Sequence, residues 1–125
     1  MVRLSDLPDY EAKHLLEKVC VPFATEPWVT GPPLKERRVA MITTAGIHLA
    51  GEQSFDFHDT AFRVIPGDVA AGDIVMTHSS VNFDRTGFQQ DLNVAFPIDR
   101  LHELAEAGEI GSVADFHYGF MGAGS

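Results

Sequence analysis

Three histidines stand within, or directly after, segments that are typical of β-strands. His48 follows the apolar run 38–44, His78 follows the shorter apolar run 73–77, and His117 lies in an extended segment near the end of the sequence. Loops that leave the carboxyl ends of strands in open α/β sheets collect functional groups. Because imidazoles bind transition metals and transfer protons near neutral pH, these residues are candidate ligands of a divalent transition metal such as Zn²⁺.

The polar, irregular stretch after His78 is a candidate binding site for a small-molecule substrate. Arginine pairs with anionic groups, while amides and carboxylates orient a polar ligand through hydrogen bonds. The candidate substrate-binding residues are Asp84, Arg85, Gln90, Asp91 and Asn93. We expect the acid and the amide of residues 91–93 to meet His48 and His78 in a common cleft.

No spacing among these residues is diagnostic of one chemistry. No two histidines are four residues apart, and no His-Glu-x-x-His motif is present. The simpler interpretation is that each histidine only hydrogen-bonds a loop backbone. Ser79 and Ser80 lie beside His78 but lack the Gly-x-Ser-x-Gly motif that exposes a serine nucleophile, so no catalytic residue is assigned.

The cysteine count limits the redox chemistry of the chain. Cys20 is the only cysteine in the sequence, which excludes a disulfide framework, a Cys-x-x-Cys site and two-thiol chemistry within this chain. We interpret Cys20 as a small buried side chain. The phenylalanines and methionines are expected to form the core.

Alternating helix and strand patterns predict an α/β fold. Residues 8–19 and the segment that begins at Pro97 have the helical spacing of apolar residues. The run 38–44 is apolar without alternation, as in a strand covered on both faces. The predicted strands are 38–44, 62–65, 73–77 and a last extended segment at 111–120. We therefore expect a mostly parallel sheet of about four strands with flanking helices.

This assignment divides the chain into two parts and leaves one face of the sheet bare. Residues 1–36 hold the N-terminal helix and a Pro-rich connector, and residues 37–125 form the α/β domain. Only two clear helices are present to cover two sheet faces. Because large exposed apolar patches are uncommon on soluble proteins, we expect a partner chain to complete the sheet, either another subunit or a second copy in a homo-oligomer.

The charge of the chain restricts its partners and its location. Eighteen acidic and nine basic residues give a formal net charge of −9, which repels phosphate backbones and anionic lipid. We expect neither nucleic acid nor a membrane surface as a partner. No apolar run approaches the roughly 20 residues of a membrane span, and the N-terminus lacks the core of a signal peptide, so a cytoplasmic location is expected.

Several short motifs occur in an order that resembles a known enzyme family. They are Val-Ala-Met-Ile-Thr-Thr-Ala-Gly-Ile-His-Leu at 39–49, Phe-Arg-Val-Ile-Pro at 62–66, Thr-His at 77–78, Asp-Leu-Asn-Val-Ala-Phe-Pro-Ile-Asp-Arg-Leu at 91–101, Ile-Gly-Ser at 110–112 and His-Tyr-Gly-Phe-Met-Gly at 117–122. As a set they resemble the glycine/sarcosine/betaine/D-proline reductase selenoprotein B family, including its selenium-free relatives. The resemblance covers the amino-terminal half of such a protein.

This resemblance implies reductive cleavage of a small amine or amino-acid-like substrate by a selenocysteine or cysteine motif. In the family that motif lies downstream of the segment that matches 120–122, whereas this sequence stops at Ser125. The redox group is therefore expected on a partner subunit that bears a thiol or selenol. The sequence departs from the family pattern at Ser80, where a second histidine is frequent, and at Ala45, where the family has a glycine. The matching family positions are His48, His78, Asp91, Asn93 and His117.

Three functions are compatible with these residues. The first is the amino-terminal portion or a subunit of a selenoprotein-B-like oxidoreductase, of the glycine or D-proline reductase type, that acts only with a partner chain. The alternative is a stand-alone small-molecule- or metal-binding protein without redox activity. The third is a structural or regulatory subunit without a site of its own.

Overall fold

The structure is a computed structural model that describes residues 3–19, 21–80 and 84–122. These residues fall into two compact units, Met1–Thr30 and Gly31–Ser125. The division predicted after residue 36 therefore lies inside the second unit. Cys20, which was predicted to be buried, lies outside the described residues. In the part of the chain that is described, no helix is long and apolar enough to cross a membrane.

Among the described residues of the first unit, one short segment is α-helical, α1 (Asp9–Leu16). Pro8 precedes it, where the absence of a backbone donor costs no helical hydrogen bond. Asp9 and Glu11 place negative charge in the first turn, which the helix dipole favours. The helix is shorter than the predicted 8–19, and none of its residues is buried.

The described residues of the second unit form seven short strands and two α-helices. The strands are β1 (Arg38–Val39), β2 (Ile42–Thr43), β3 (Ile47–Leu49), β4 (Arg63–Pro66), β5 (Ile74–Met76), β6 (Ser112–Val113) and β7 (Phe116–Gly119). The helices are α2 (Thr86–Gln90) and α3 (Ile98–Glu106). The predicted α/β class is confirmed.

Two extended segments run parallel, side by side, through this unit. β1 pairs with β6, and β2 pairs with β7. The first segment is 38–43 and the second is 112–119. Val39 pairs with Val113 and Ile42 pairs with Tyr118, so three residue steps along the first segment lie opposite five along the second. The longer segment therefore bulges between its two pairings, and a bulge of this kind interrupts the ladder of backbone hydrogen bonds.

The strands form three small sheets instead of the single, mostly parallel sheet of about four strands that the sequence predicted. The sheets are β1–β6, β2–β7–β4 and β3–β5. β4 joins β7 and β5 joins β3 in the antiparallel direction. The predicted strand 38–44 is divided at Ala40 and Met41, because the amide of Met41 donates to Nδ1 of His117 at 2.9 Å instead of to a strand.

One face of the central sheet, β2–β7–β4, packs on the core. Ile65 of β4 and His117 of β7 face each other, and both are fully buried. Ile47 and Phe96 belong to the same apolar cluster as Ile65. Gly119 of β7 lies so close to the carbonyl oxygen of Ile47 that a methyl group on it would be 2.2 Å from that atom. The absence of a side chain at this position allows the two strands to pass in contact.

The helix α3 buries only part of the apolar stripe that its spacing predicted, which comprised Ile98, Leu101, Leu104 and Ala105. Ile98 and Leu101 are 5% and 8% exposed, whereas Leu104 is 44% exposed. α3 contacts β6, so it covers the region in which the two parallel segments begin to pair.

The expected phenylalanine core is found only in part. Phe55 and Phe96 are buried, but Phe57, Phe62 and Phe116 are each more than half exposed. The rest of this unit covers only one face of the central sheet, so some of its phenylalanine side chains face outward.

Replacing Gly119 with alanine is predicted to destabilise the second unit. The added methyl group would overlap the carbonyl oxygen of Ile47, and neither strand can shift without losing its pairing. We expect a loss of about 2–3 kcal/mol in the free energy of unfolding, measured by urea denaturation. Gly72→Ala is the control, because nothing lies within 4 Å of its added methyl group and its stability should be unchanged or slightly raised. Equal stability of the two variants would contradict this packing.

Candidate functional site

His48 lies in β3 with both ring nitrogens bonded. The residue is 2% exposed, and its Nδ1 lies 2.8 Å from the carbonyl oxygen of Leu49. Since a carbonyl oxygen only accepts, Nδ1 carries the proton, and Nε2 accepts from the hydroxyl of Thr77 at 3.2 Å. The oxygen of that hydroxyl accepts in turn from the amide of Phe55 at 3.0 Å. The imidazole therefore ties β3 to the loop after β5 and to the loop before β4.

His78 follows β5 and is also buried. Its Nδ1 accepts a hydrogen bond from the amide of Ser80 at 3.1 Å. Gly46, with a φ of +64°, packs against the backbone of His78, because a methyl group there would lie 2.8 Å from its N and Cα atoms. Burial, and then the nearby guanidinium of Arg85, lower the pKa of His78 below its ordinary value. The ring is therefore neutral near pH 7.

Arg85 connects the polar stretch to His78, since its Nη2 donates to the carbonyl oxygen of His78. The preceding Asp84 accepts from the amide of Thr86 at 2.9 Å, at the start of α2. Hydrogen bonds from the amide and the hydroxyl of Thr86 lower the pKa of the Asp84 carboxyl group. Gln90 ends α2 and is exposed. Arg85 is thus joined to one of the candidate histidines.

Asp91 and Asn93 form a hydrogen-bonded group at the start of α3. Oδ1 of Asp91 accepts from the backbone and side-chain amides of Asn93, at 2.9 and 3.0 Å. The side chain of Asn93 also donates to Oδ2 of Asp99 at 2.8 Å and accepts from the amide of Asp99 at 3.1 Å. The side chain of Asn93 thus satisfies the backbone amide of Asp99 in the first turn of α3. The two hydrogen bonds that Asn93 donates to Asp91 lower the pKa of the Asp91 carboxyl group. A common cleft with the histidines stays a prediction.

His117 joins the two parallel segments at their bulge. Its Nδ1 accepts from the amide of Met41 at 2.9 Å, and its ring packs edge-on against Phe96 with 5.4 Å between centroids. Because an amide only donates, Nδ1 carries no proton, and the neutral ring has its proton on Nε2. Nε2 is buried and has no hydrogen-bond partner among the described residues.

Burial, and then the charge of the neighbouring His102, lower the pKa of His117. Protonation of Nδ1 would also remove the acceptor of the Met41 amide. Both effects favour the neutral ring near pH 7. The protonation state of His117 is therefore coupled to the hydrogen bond that holds the bulge.

In the three candidate metal ligands, the nitrogen that would bind a metal already accepts a hydrogen bond. A neutral imidazole binds a metal through its unprotonated nitrogen. In each candidate that atom accepts a hydrogen bond, and the donors are Thr77, Ser80 and Met41. Within residues 3–19, 21–80 and 84–122, no group of three or more His, Cys, Asp or Glu side chains is placed to hold a metal ion. A metal role stays a prediction for His48, His78 and His117.

Two parts of these networks were not identified from the sequence. Thr77 supplies the hydroxyl between His48 and the loop before β4, and Met41 supplies the amide that His117 accepts. A threonine beside a histidine and an apolar residue inside a strand carry no local signal of such a role. Only the pairing of distant strands places them next to the imidazoles.

These features define a small α/β protein in which buried, neutral imidazoles connect strands and loops. The chain is similar to a reductase subunit: it is 36% identical over 115 residues to D-proline reductase subunit gamma of Acetoanaerobium sticklandii. The matched region is 90% of this chain and 47% of the relative, so the chain spans about half the length of that protein. No protein-family description matches the chain, and no solved structure matches it.

Replacing His117 with phenylalanine is predicted to destabilise the protein. The phenyl ring fills similar space against Phe96 but cannot accept the amide of Met41, which is left buried without a partner. We expect a loss of about 1–3 kcal/mol in the free energy of unfolding at neutral pH, measured by urea denaturation.

The same variant is predicted to weaken the pH dependence of stability. The pKa of His117 in the folded chain lies below the unfolded value of about 6.5, so the unfolded chain takes up the proton first as the pH falls. The free energy of unfolding therefore falls as the pH drops through about 6.5, and His117→Phe removes this contribution. His78 retains part of the effect, because its pKa is also lowered. The exposed His58→Phe is the control, and an unchanged slope in His117→Phe would refute the assignment.

Proposed function

We propose that this chain is the amino-terminal portion or a subunit of a reductase-type oxidoreductase that acts on a small amine or amino-acid-like substrate. The observation that carries the proposal is the 36% identity to D-proline reductase subunit gamma over 90% of the chain. The motifs that resemble the selenoprotein B family lie in the second unit, where they build β2, β4, β7 and α3. The proposal thus rests on most of the chain instead of on one short motif.

A partner chain supplies the redox thiol or selenol in this proposal. Reductive cleavage consumes two electrons, and oxidation of a dithiol to a disulfide is a two-electron couple. Cys20 is the single cysteine of the sequence, so it cannot form such a pair within the chain. The proposal therefore places the second sulfur, or a selenium, on the partner chain.

The substrate is proposed to bind at the polar stretch that begins at Asp84. A guanidinium has five N–H donors, so Arg85 can hold the carbonyl oxygen of His78 and still pair with a substrate carboxylate. The carboxylates of Asp84 and Asp91 suit a protonated amine, and the side-chain amides orient polar groups. The proposed substrate-binding set is Asp84, Arg85, Gln90, Asp91 and Asn93.

The test is to isolate the tagged chain from its own cells under reducing conditions. We expect a thiol- or selenol-bearing polypeptide to co-elute, and that fraction to consume D-proline or glycine when a dithiol is supplied. The chain alone should not do so. A stable complex that reduces no small amine or amino acid would rule the function out.

Arg85→Gln in that complex is predicted to raise the KM for an amino-acid substrate about tenfold or more. A hydrogen bond to a charged group contributes about 1.5–3 kcal/mol, which corresponds to this range. The matched control is Arg38→Gln, since Arg38 is exposed and pairs with Asp115 at 4.0 Å, outside the proposed binding set. Equal KM values for the two variants would show that Arg85 does not bind the substrate.

A further inference from the structure

The central sheet has a second face that the described residues leave open. Ile42, Tyr118 and Val64 lie side by side across β2, β7 and β4. They point away from the core, because their neighbours Ile65 and His117 are fully buried on the opposite face. Ile42 is 70% exposed and Val64 is 39% exposed.

Aromatic rings extend this face on both sides of the three aligned residues. Phe62 packs edge-on against Tyr118 at 5.4 Å and lies tilted against Phe120 at 5.8 Å. Phe62 and Phe116 are 51% and 54% exposed. Large aromatic side chains contribute strongly to interfaces when they are buried. The open sheet face consists of Ile42, Phe62, Val64, Phe116, Tyr118 and Phe120.

The outer edge of β2 is open as well. β2 is the last strand of its sheet, and the amides of Tyr118 and Phe120 donate to the carbonyl oxygens of Met41 and Thr43. Since backbone groups alternate in direction along a strand, those of Ile42 point away from β7. The carbonyl oxygen of Thr44, beyond the end of β2, packs against Gly122 instead. In the part of the chain that is described, no strand pairs with this edge. It is a template for one added strand.

A groove runs beside the same edge. A cavity of about 340 Å³ is lined on one side by residues 41–44 and on the other by residues 95–97. A second cavity, of about 440 Å³, adjoins the open sheet face at Ile42 and Phe120. An extended segment can therefore pair with β2 and place alternate side chains into these two spaces.

Charge and length together indicate what covers this surface. A second copy would bring a further net charge of −9 toward the first, and like charges oppose association. More than half of D-proline reductase subunit gamma has no counterpart in this chain, since the match covers 47% of it. A polypeptide that corresponds to this unmatched part has the length to cover the surface.

We propose that the open sheet face and the outer edge of β2 dock a partner subunit that corresponds to the unmatched part of D-proline reductase subunit gamma, and that this subunit adds a strand to β2. The proposal rests on the proposed function, since it places the redox-bearing subunit on this surface. Apolar side chains of the partner cover the aromatic rings, and its backbone pairs with the outward-pointing groups of Ile42.

The test uses the tagged chain, isolated from its own cells as wild type, Ile42→Lys and Leu104→Lys. Ile42→Lys places a charge at the centre of the surface, whereas Leu104 is a partly exposed leucine on α3, outside it. We expect a co-eluting polypeptide whose sequence aligns with the unmatched part of the relative. Its recovery should fall about tenfold or more with Ile42→Lys and remain with Leu104→Lys. Hydrogen exchange at the amide of Ile42 should slow in the complex.

Three results would overturn the docking surface: undiminished recovery with Ile42→Lys, a second copy of the chain as the occupant, or a partner unrelated to the unmatched part. Reductase activity together with undiminished recovery would remove the docking surface and leave the proposed function standing. Loss of recovery with Ile42→Lys, in a complex without reductase activity, would support the docking surface and remove the function.

Discussion

The hydrogen bond from the amide of Met41 to Nδ1 of His117 is the interaction on which the second unit depends. It spans 76 positions in the sequence and lies where the two parallel segments fall out of step. A bulge leaves backbone groups without a strand partner, and a buried amide without an acceptor is destabilising. The imidazole of His117 supplies that acceptor. The segments can therefore pair on both sides of the mismatch without an orphaned amide at its centre.

The orientation of the central sheet follows from this bond. With its ring in the core beside Ile65, His117 directs the next residue, Tyr118, toward the opposite face. The same alternation places Ile42 and Val64 beside Tyr118 on the open side. One buried imidazole thus determines which side chains form the core and which remain available to a partner. His48 likewise connects distant parts of the unit, since one ring nitrogen bonds the backbone of Leu49 and the other bonds the hydroxyl of Thr77.

The parts of the fold that depend on local chemistry were predictable, and those that depend on distant pairing were not. The start of α1 directly after Pro8 and the burial of Ile98 and Leu101 follow from the chemistry of helix starts and from helical spacing. The division of the predicted strand 38–44 depends on a side chain far along the sequence. For the site, each Nδ1 of the three histidines bonds a backbone group, as the simpler interpretation predicts, but His48 also bonds the hydroxyl of Thr77. The other partners, such as Thr77, lie next to the imidazoles only because distant strands pair, and the sequence carries no local signal of that pairing.

The most direct test of this account is the tautomer of His117, measured by ¹⁵N NMR of the imidazole nitrogens across a pH titration. We expect a neutral ring that is protonated at Nε2 and accepts a hydrogen bond at Nδ1. Its apparent pKa should lie below the ordinary value of about 6.5. A ring protonated at Nδ1, or a ring that titrates near its ordinary value, would contradict the account.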